Sequence, residues 1–257
     1  MARSLDGSVV AVVGATGVLG SAIAQVLTSR GATVVRAGRQ GDVDVVVDLQ
    51  DAGSGDALVA YARDRHGRLD GVVIAAGVVT FGPLADTDDE VIEELFLTNA
   101  IGPLWLARRV IPALIETRGF LVHLSGVVAS QPVAGMAAYS ASKAAVLSLT
   151  RFLAREWAAA GVRVNAITPG FFPAEQNRRL LFNADGSPTP RAQAILGHTP
   201  MGRFGDAPEL VGAVVFLAVG TVKTYRGRRP TGHQPSAATP NHPSTITTSD
   251  GNTHDGS

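Results

Sequence analysis

The sequence has no cysteine, few aromatic residues and no excess of either charge: aromatic side chains make up 5%, and 22 basic residues balance 22 acidic ones. Without cysteine, the chain can form no disulfide, thiolate zinc site or thiol nucleophile. Balanced charge argues against nucleic acid or an anionic membrane as the main partner. No apolar run reaches the roughly 18 residues that span a bilayer, and no leader-like segment opens the chain. We therefore expect a cytoplasmic protein with a small-molecule partner.

The 257 residues are enough for one large α/β domain. Short apolar runs rich in Val and Ile alternate with longer segments of helical period. Strands are predicted at Val9–Val13, Thr33–Arg36, Val43–Asp48, Gly71–Ala75, Phe120–Leu124 and Val162–Ile167. Helices are predicted at Ser21–Arg30, Asp56–His66, Asp88–Thr117, Tyr139–Ala160 and Pro208–Val219. This alternation predicts a doubly wound parallel sheet between two helical layers, a three-layer α/β/α Rossmann fold.

Residues 1–219 are predicted to form this domain, and residues 171–207 interrupt its rhythm with prolines and a short helix around Arg178–Phe182. A long connection after a strand lies where ligands bind in an open α/β sheet, so this segment is interpreted as a substrate-covering lobe. Residues 220–257 have scarcely any large apolar side chains, and we expect this tail to be disordered. The histidines of the tail are interpreted as solvated, and no metal site is predicted.

A glycine-rich turn follows the first strand and precedes a helix. The turn contains Gly14, Thr16, Gly17, Val18, Leu19 and Gly20. In this setting the glycines allow a tight turn and close approach to a pyrophosphate, and the helix N-terminus offers N–H groups to the anion. A purely structural turn also uses glycines, but the position after the first strand favours a dinucleotide. Residues 1–219 are therefore interpreted as an NAD(P)-binding domain.

The ends of the next strands bear on the choice of dinucleotide. After the second strand the sequence has Gly38 and the cation Arg39, where a site that prefers NAD usually has a carboxylate. A guanidinium suits a 2′-phosphate, so NADP(H) is favoured and NAD(H) remains an alternative, with Arg39 then a solvated loop residue. Asp48 and Leu49 are predicted beside the adenine. The run from Ala75 through Ala76 to Gly77 would let the chain pass close to the cofactor.

Tyr139 and Lys143 lie four residues apart at the start of a predicted helix, so their side chains share one face. A free phenol has a pKa near 10 and is a poor base at neutral pH. A neighbouring ammonium favours the phenolate, and this makes tyrosine usable as an acid or base toward an alcohol or carbonyl. The pair alone could be an exposed surface contact; together with the glycine turn it indicates an oxidoreductase site.

From about Ser8 to Ala218 the sequence resembles the short-chain dehydrogenase/reductase family. The shared motifs are Gly-x-x-Gly-x-x-Gly, Ala-Ala-Gly, Asn99, Tyr-x-x-x-Lys and the run from Asn165 to Gly170. The resemblance implies that Tyr139 is the acid/base, that Lys143 lowers its pKa and holds the nicotinamide ribose, and that the carbonyl of Asn99 holds a relay water. It implies a nicotinamide pocket that includes Pro169, Gly170 and Phe172, and a homodimer or homotetramer. The segments after Pro169 resemble the branch of mannonate oxidoreductases, which act on sugar acids.

The sequence departs from the family pattern at several positions. The usual catalytic serine lies thirteen residues before the tyrosine, where this chain has Gly126, and Ser125 is one place earlier. A local twist would be needed for Ser125 to serve as the catalytic serine. Ala174 stands where a threonine often contacts the nicotinamide. The family's final strand has no counterpart after Ala218, and either a frameshift or a divergent tail explains this, with the oligomer contact weakened. A catalytically weak dinucleotide-binding sensor or interaction protein is therefore the alternative to an active enzyme.

Two further groups of residues are candidates with a simpler alternative. His123 lies in an apolar strand, and we interpret it as a hydrogen-bonded core or surface residue rather than a catalytic one. Arg178, Arg179 and Arg203 in the lobe could meet a carboxylate substrate, but solvated or ion-paired arginines are the more common case. The overall prediction is hydride transfer between NADP(H) or NAD(H) and a secondary alcohol or ketone, on a substrate that could be a sugar acid.

Overall fold

Six parallel strands form one sheet in the computed structural model, which describes residues 4–219 apart from the side chains of Glu175 and Gln176. The strands are β1 Val9–Val13, β2 Thr33–Gly38, β3 Val45–Val46, β4 Gly71–Ile74, β5 Phe120–Leu124 and β6 Arg163–Ile167. Every residue of β1, β4 and β5 is buried, as continuous apolar strands covered on both faces should be. The predicted tail, residues 220–257, lies outside the described residues.

The strand order is β3-β2-β1-β4-β5-β6, so the chain builds the sheet outward from β1 in one direction and then in the other. In the centre, Val10 of β1 is in register with Val34 of β2 and with Gly71 of β4. The direction reverses between β1 and β4, and their carboxyl ends flank the crevice in which doubly wound sheets bind ligands. The predicted Rossmann architecture is confirmed.

Eight α-helices surround this sheet in the described part of the chain. They are α1 Val18–Ser29, α2 Ser54–His66, α3 Asp89–Phe96, α4 Gly102–Thr117, α5 Ala137–Trp157, α6 Glu175–Leu181, α7 Pro190–Gly197 and α8 Ala207–Ala218. Helices α2, α4 and α5 pack on one face of the sheet, and α1 and α8 pack on the other. None of the described helices is long and apolar enough to cross a membrane.

Two predicted elements differ in kind or extent from those expected, while most of the others begin or end one to three residues from the predicted bounds. Strand β3 is shorter than Val43–Asp48, because the Arg36 N–H donates to the Asp44 carboxylate at 2.7 Å instead of to a strand carbonyl. The single predicted helix Asp88–Thr117 is divided into α3 and α4 by a π-helical turn, Leu97–Ile101. Wide turns of this kind are frequent at functional sites, and this one contains Asn99.

The lobe contains two helices, α6 and α7, where the proline-rich sequence predicted one. Thr189 caps α7 by accepting a hydrogen bond from Ala192 N at 3.2 Å, and Pro190 occupies its first turn. Leu181 of α6 packs with Ala192 and Ile195 of α7 in a small core of their own. Both helices stand at the carboxyl edge of the sheet, after β6.

Candidate active site

A cleft of about 470 Å³ opens at the carboxyl ends of the strands. It is formed by the turns that follow β1, β2, β4, β5 and β6, together with the start of α5. All residues that the sequence predicted for the cofactor line this cleft: Gly14, Thr16, Gly17, Val18, Leu19, Gly20, Arg39, Asp48, Leu49, Ala75, Ala76, Gly77, Tyr139, Lys143, Pro169, Gly170 and Phe172. The topology therefore brings together segments that are up to 158 residues apart, from Gly14 to Phe172.

The glycine turn fits a pyrophosphate. A side chain on Gly14 would begin 2.6 Å from Ala76 N, and one on Gly20 would begin 2.0 Å from Gly14 O, so both positions exclude any larger residue. Gly17 precedes α1 without a side-chain cap, and the first turn of the helix has no acidic residue. The first N–H groups of α1 thus remain available to an anion, and the positive end of the helix dipole favours it.

The adenosine end of the cleft has one cation that no carboxylate neutralises. Arg39 is exposed and takes part in none of the ion pairs found among residues 4–219, whereas Arg36 pairs with Asp42 at 3.3 Å. Asp48 faces the same end, with Oδ1 accepting a hydrogen bond from Gln50 N at 3.0 Å. The geometry leaves Arg39 available to a phosphate on the ribose.

Tyr139 and Lys143 project from the first turns of α5 into the middle of the cleft. Lys143 is 5% exposed, and its ammonium donates to Leu124 O at 3.1 Å. The Lys143 Nζ atom lies 5.8 Å from the centre of the Tyr139 ring, which is half-buried. The predicted i, i+4 pair is thus one site.

Burial dominates the titration of both groups. Loss of hydration raises the pKa of Tyr139 to about 12 and lowers the pKa of Lys143 to about 8. The sequence predicted a lowered phenol pKa, but in the chain alone the cost of burying a phenolate is the larger effect. Tyr139 is therefore a protonated phenol at neutral pH, suited to donate a proton.

Asn99 supports this pair from the π-helical turn. Its side chain exchanges two hydrogen bonds with the backbone of Val78, at 2.8 and 2.9 Å, and donates a third to Ser142 Oγ at 3.1 Å. The Ser142 hydroxyl in turn donates to Tyr139 O at 2.8 Å. Asn99 thereby ties the loop after β4 to the turn of α5 that presents the tyrosine. The relay role of its own carbonyl stays a prediction.

Ser125 and Gly126 have different surroundings from those expected. The Ser125 hydroxyl donates to Lys143 O at 2.8 Å, so it holds α5 against β5. A side chain on Gly126, by contrast, would begin 3.7 Å from Tyr139 Oη. The backbone twist that would turn Ser125 toward the phenol is absent, because Gly126 is simply extended, with φ −178° and ψ 152°. Ser125 therefore borders the cleft with its hydroxyl bound to the backbone of α5, and position 126 faces the phenol without a hydroxyl.

Comparison with known proteins identifies the family. A family model described as enoyl-(acyl carrier protein) reductase matches residues 14–228. The 3-oxoacyl-(acyl-carrier-protein) reductase FabG of Vibrio harveyi is 31% identical over 229 residues, covering 84% of this chain and 91% of that protein. An uncharacterized oxidoreductase of Haemophilus influenzae is 41% identical over 133 residues, which span 51% of this chain and about half, 47%, of that protein. The chain belongs to the short-chain dehydrogenase/reductase family.

Solved structures of other short-chain dehydrogenases agree with this fold. An aldohexose dehydrogenase of Thermoplasma acidophilum has a TM-score of 0.75 and 27% identity, covering 83% of this chain and 88% of that one. A protein assigned as an NAD(P)-dependent gluconate 5-dehydrogenase, from Beutenbergia cavernae and solved with NADP, has a TM-score of 0.75 and 30% identity, covering 85% and 92%. The protein is therefore an NAD(P)-dependent oxidoreductase.

In this short-chain dehydrogenase, the candidate His123 has a structural role. His123 is 1% exposed, and its Nδ1 lies 3.0 Å from Thr150 Oγ1. Because Thr150 Oγ1 donates to Val146 O at 2.7 Å, it accepts the proton of Nδ1. Burial and the charge of Lys143 lower the pKa of His123 to about 4. His123 is a neutral core histidine, as interpreted from the sequence.

Sequence reasoning missed the residues at the far end of the cleft. Beyond Tyr139 the walls are formed by Phe81, Val128, Met136 and Asn177. Phe81 comes from the loop after β4, and Val128 and Met136 come from the connection between β5 and α5. Of the four, Asn177 in α6 alone lies in a segment that the sequence had singled out, the one that resembles mannonate oxidoreductases. The sequence offered one signal for these residues, namely that each lies shortly after a predicted strand or near the start of a helix. Three of these four side chains are apolar, and this part of the cleft is the candidate substrate end.

Proposed function

We propose that the protein interconverts a ketone and a secondary alcohol with NADP(H), on a polyhydroxylated substrate of the sugar-acid class. The observation that carries the proposal is the placement of Tyr139 and Lys143 in the same cleft as the glycine turn. A phenol at this point can exchange a proton with a substrate oxygen while the nicotinamide exchanges a hydride with the adjacent carbon.

In the reductive direction, Tyr139 Oη donates its proton to the carbonyl oxygen as that oxygen gains negative charge. The raised pKa of Tyr139 keeps this proton in place at neutral pH. The buried ammonium of Lys143, held by Leu124 O, stabilises the phenolate that remains. The product is an alcohol, and the tyrosine regains a proton from solvent. Pro169 and Gly170 form the wall on which the nicotinamide would lie.

The preference for NADP(H) is supported by Arg39. Its guanidinium is exposed at the end of β2 and lines the cleft. A 2′-phosphate gives it a charged acceptor, whereas a ribose hydroxyl usually pairs with a carboxylate that is missing from this position. The similar protein from Beutenbergia cavernae was solved with NADP bound.

The substrate class is supported by two independent likenesses. Two structural relatives are described as acting on an aldohexose and on gluconate. The segments after Pro169 resemble those of mannonate oxidoreductases. FabG, at 31% identity, is named for an acyl-carrier substrate and is the main competing precedent.

Steady-state kinetics test the proposal. Purified protein is assayed with NADPH and NADH against a panel of keto sugar acids, ketoses, simple ketones and a 3-oxoacyl thioester. We expect turnover with NADPH on a keto sugar acid, and a loss of about 1,000-fold or more in Tyr139→Phe with unchanged NADPH binding. Turnover confined to the thioester, or undiminished in the variant, contradicts the proposal.

A second function is favoured by one observation, the missing hydroxyl at Gly126. Without it, no side chain at this position polarises the substrate carbonyl, and the protein would act as a dinucleotide-binding sensor. Tight NADPH binding without turnover on any substrate of the panel would support this alternative over the first.

We also propose that the chain forms a homodimer or homotetramer. Leu104 of α4 is 50% exposed and Phe152 of α5 is 73% exposed, on neighbouring helices of one face. Where exposed apolar side chains form a contiguous patch, the patch commonly marks a contact with a second subunit. Light scattering on the wild type and on Phe152→Glu tests this, with a monomeric wild type as the contrary result.

A further inference from the structure

Arg191 lies where the lobe meets the substrate end of the cleft. It is the second residue of α7, and its guanidinium carbon lies 3.8 Å from the centre of the Phe81 ring. Phe81 in turn lines the cleft beyond Tyr139. The guanidinium is thus stacked on the wall of the substrate end, although the two residues are 110 positions apart in the sequence.

The hydrogen-bonding groups of Arg191 are left without partners. Its Nε and Nη2 atoms are buried and have no hydrogen-bond partner, and no carboxylate of the described residues forms an ion pair with it. Burial also lowers the pKa of Arg191 from its ordinary value, while an arginine of this kind keeps its charge. Buried N–H groups almost always have an acceptor in a folded protein, so this cation can take one that the described residues do not supply.

The other arginines of the lobe, which the sequence offered for this task, are engaged or turned outward. Arg203 donates two hydrogen bonds to the Glu209 carboxylate, at 2.6 and 2.8 Å. Arg178 is exposed, with its guanidinium 5.8 Å from the Phe182 ring, and Arg179 is exposed as well. Arg191 is the lobe arginine that stacks on a residue of the cleft wall, Phe81, without itself being one of the residues that line the cleft.

We infer that Arg191 binds the carboxylate of the substrate whose carbonyl or hydroxyl faces Tyr139. The inference rests on the proposed function and adds the residue that selects the acid. Because Phe81 covers one face of the guanidinium, a ligand has to approach along its edge. A planar carboxylate in the guanidinium plane can accept two parallel hydrogen bonds there. The carboxylate and the reacting carbon would be at opposite ends of a short carbon chain lying along Phe81.

Matched ligands isolate the carboxylate. Gluconate and sorbitol differ only in a carboxylate against a hydroxymethyl group, and so do 5-ketogluconate and L-sorbose. Calorimetry measures gluconate and sorbitol binding to the NADPH complex, in which no turnover occurs. Kinetics with NADPH compare 5-ketogluconate with L-sorbose. The variants are Arg191→Met, which keeps an apolar stem over Phe81, Arg191→Lys, which keeps the charge, and Arg179→Met as a control that removes an exposed charge of the same lobe.

We expect gluconate to bind roughly 30-fold more weakly to Arg191→Met, the size of effect typical for hydrogen bonds to a charged group. The KM for 5-ketogluconate should rise by a similar factor with kcat nearly unchanged. Sorbitol, L-sorbose and Arg179→Met should show less than a twofold change, and Arg191→Lys should be intermediate. Melting temperatures establish that each variant folds.

The outcomes separate this inference from the proposed function. Gluconate affinity that depends on Arg191, in a protein that turns over no substrate, keeps the inference and defeats the oxidoreductase proposal. If Arg191→Met turns over the keto acid with the same KM as the wild type, the oxidoreductase proposal stands and the inference about Arg191 is overturned. The inference is also overturned if the wild type binds sorbitol as tightly as gluconate, binds a sugar phosphate more tightly than the acid, or binds no hydroxy acid of a C4 to C6 panel.

Discussion

Gly126 faces the phenol of Tyr139 at a distance that one small side chain would fill. The first carbon of a side chain at position 126 would lie 3.7 Å from Tyr139 Oη and 3.7 Å from a methyl carbon of Val128. These are ordinary van der Waals contacts, and the backbone of Gly126 is extended, a conformation open to any residue. The site is therefore complete in shape and lacks one hydroxyl.

Gly126→Ser should increase kcat/KM. A serine hydroxyl at this position can donate a hydrogen bond to the substrate oxygen beside the phenol, and one such donor is typically worth about 100-fold in rate. We expect a gain of roughly 10- to 100-fold in steady-state assays of carbonyl reduction with NADPH.

Two variants control for this gain. Gly126→Ala adds the same carbon without the hydroxyl and should leave the rate within about threefold of the wild type. Ser125→Ala should lower the melting temperature, because Lys143 O loses its hydrogen-bond donor. If the alanine and serine variants at position 126 are equally active, the missing hydroxyl does not limit the rate.

Arg39→Ala should weaken the binding of NADPH and spare that of NADH. The loss of a charge-assisted contact to the 2′-phosphate is worth about 10- to 100-fold in affinity. Fluorescence titration with both dinucleotides measures the effect. Arg30→Ala, which removes an exposed charge at the end of α1, serves as the control and should change neither affinity. Equal losses for NADPH and NADH would show that Arg39 does not read the phosphate.

The stability of the protein should fall as the pH drops from about 6.5 to about 4. Burial lowers the pKa of His123 from 6.5 to about 4, so the unfolded chain binds a proton in this range and the folded chain does not. Proton uptake by the unfolded state lowers the free energy of unfolding, here by about 3 kcal/mol for the one group. Above pH 6.5 the contribution of His123 is constant.

Urea unfolding at several pH values checks this, with His123→Gln and His198→Gln compared with the wild type. His198 is exposed, so its variant should keep the wild-type dependence on pH. The His123 variant should lose most of the slope between pH 6.5 and 4, whatever its stability at pH 7. A wild-type slope in that variant would place the acid sensitivity elsewhere.

Local periodicity was enough to predict the sheet and the dinucleotide end of the cleft. Buried parallel strands such as β1 are continuous apolar runs, and the glycine turn is contiguous in sequence, so both could be read from neighbouring residues. Strand β3 was predicted too long, because the side chain of Asp44, not its apolar neighbours, decides where pairing begins.

The substrate end could not be predicted, because it is assembled from distant segments. The contact between Arg191 and Phe81 joins residues 110 positions apart, and the sequence of α7 contains no pattern that predicts it. For a related reason, the pKa of Tyr139 in the chain alone is raised, where the sequence predicted a lowered value. The motif shows the lysine four residues away, but the burial that dominates the phenol comes from the fold as a whole.

Gly20→Ala should damage both folding and cofactor binding. Its added carbon would lie 2.0 Å from Gly14 O and 2.7 Å from Gly14 C, and both are backbone atoms that cannot rotate away. Either α1 or the glycine turn must shift, which moves the N–H groups that would hold the pyrophosphate. We expect NADPH affinity to fall by at least about 10-fold and stability to fall by roughly 1–3 kcal/mol, as for an overpacked core.

Gly212→Ala provides the matched control for this substitution. Gly212 lies within α8, and a side chain there would have no atom within 4 Å. Alanine is the better helix former, so this variant should gain up to about 1 kcal/mol and bind NADPH as the wild type does. Thermal melts and NADPH titrations of the two variants give the comparison. If Gly20→Ala binds NADPH normally, close packing of α1 against the turn is not what shapes the phosphate site.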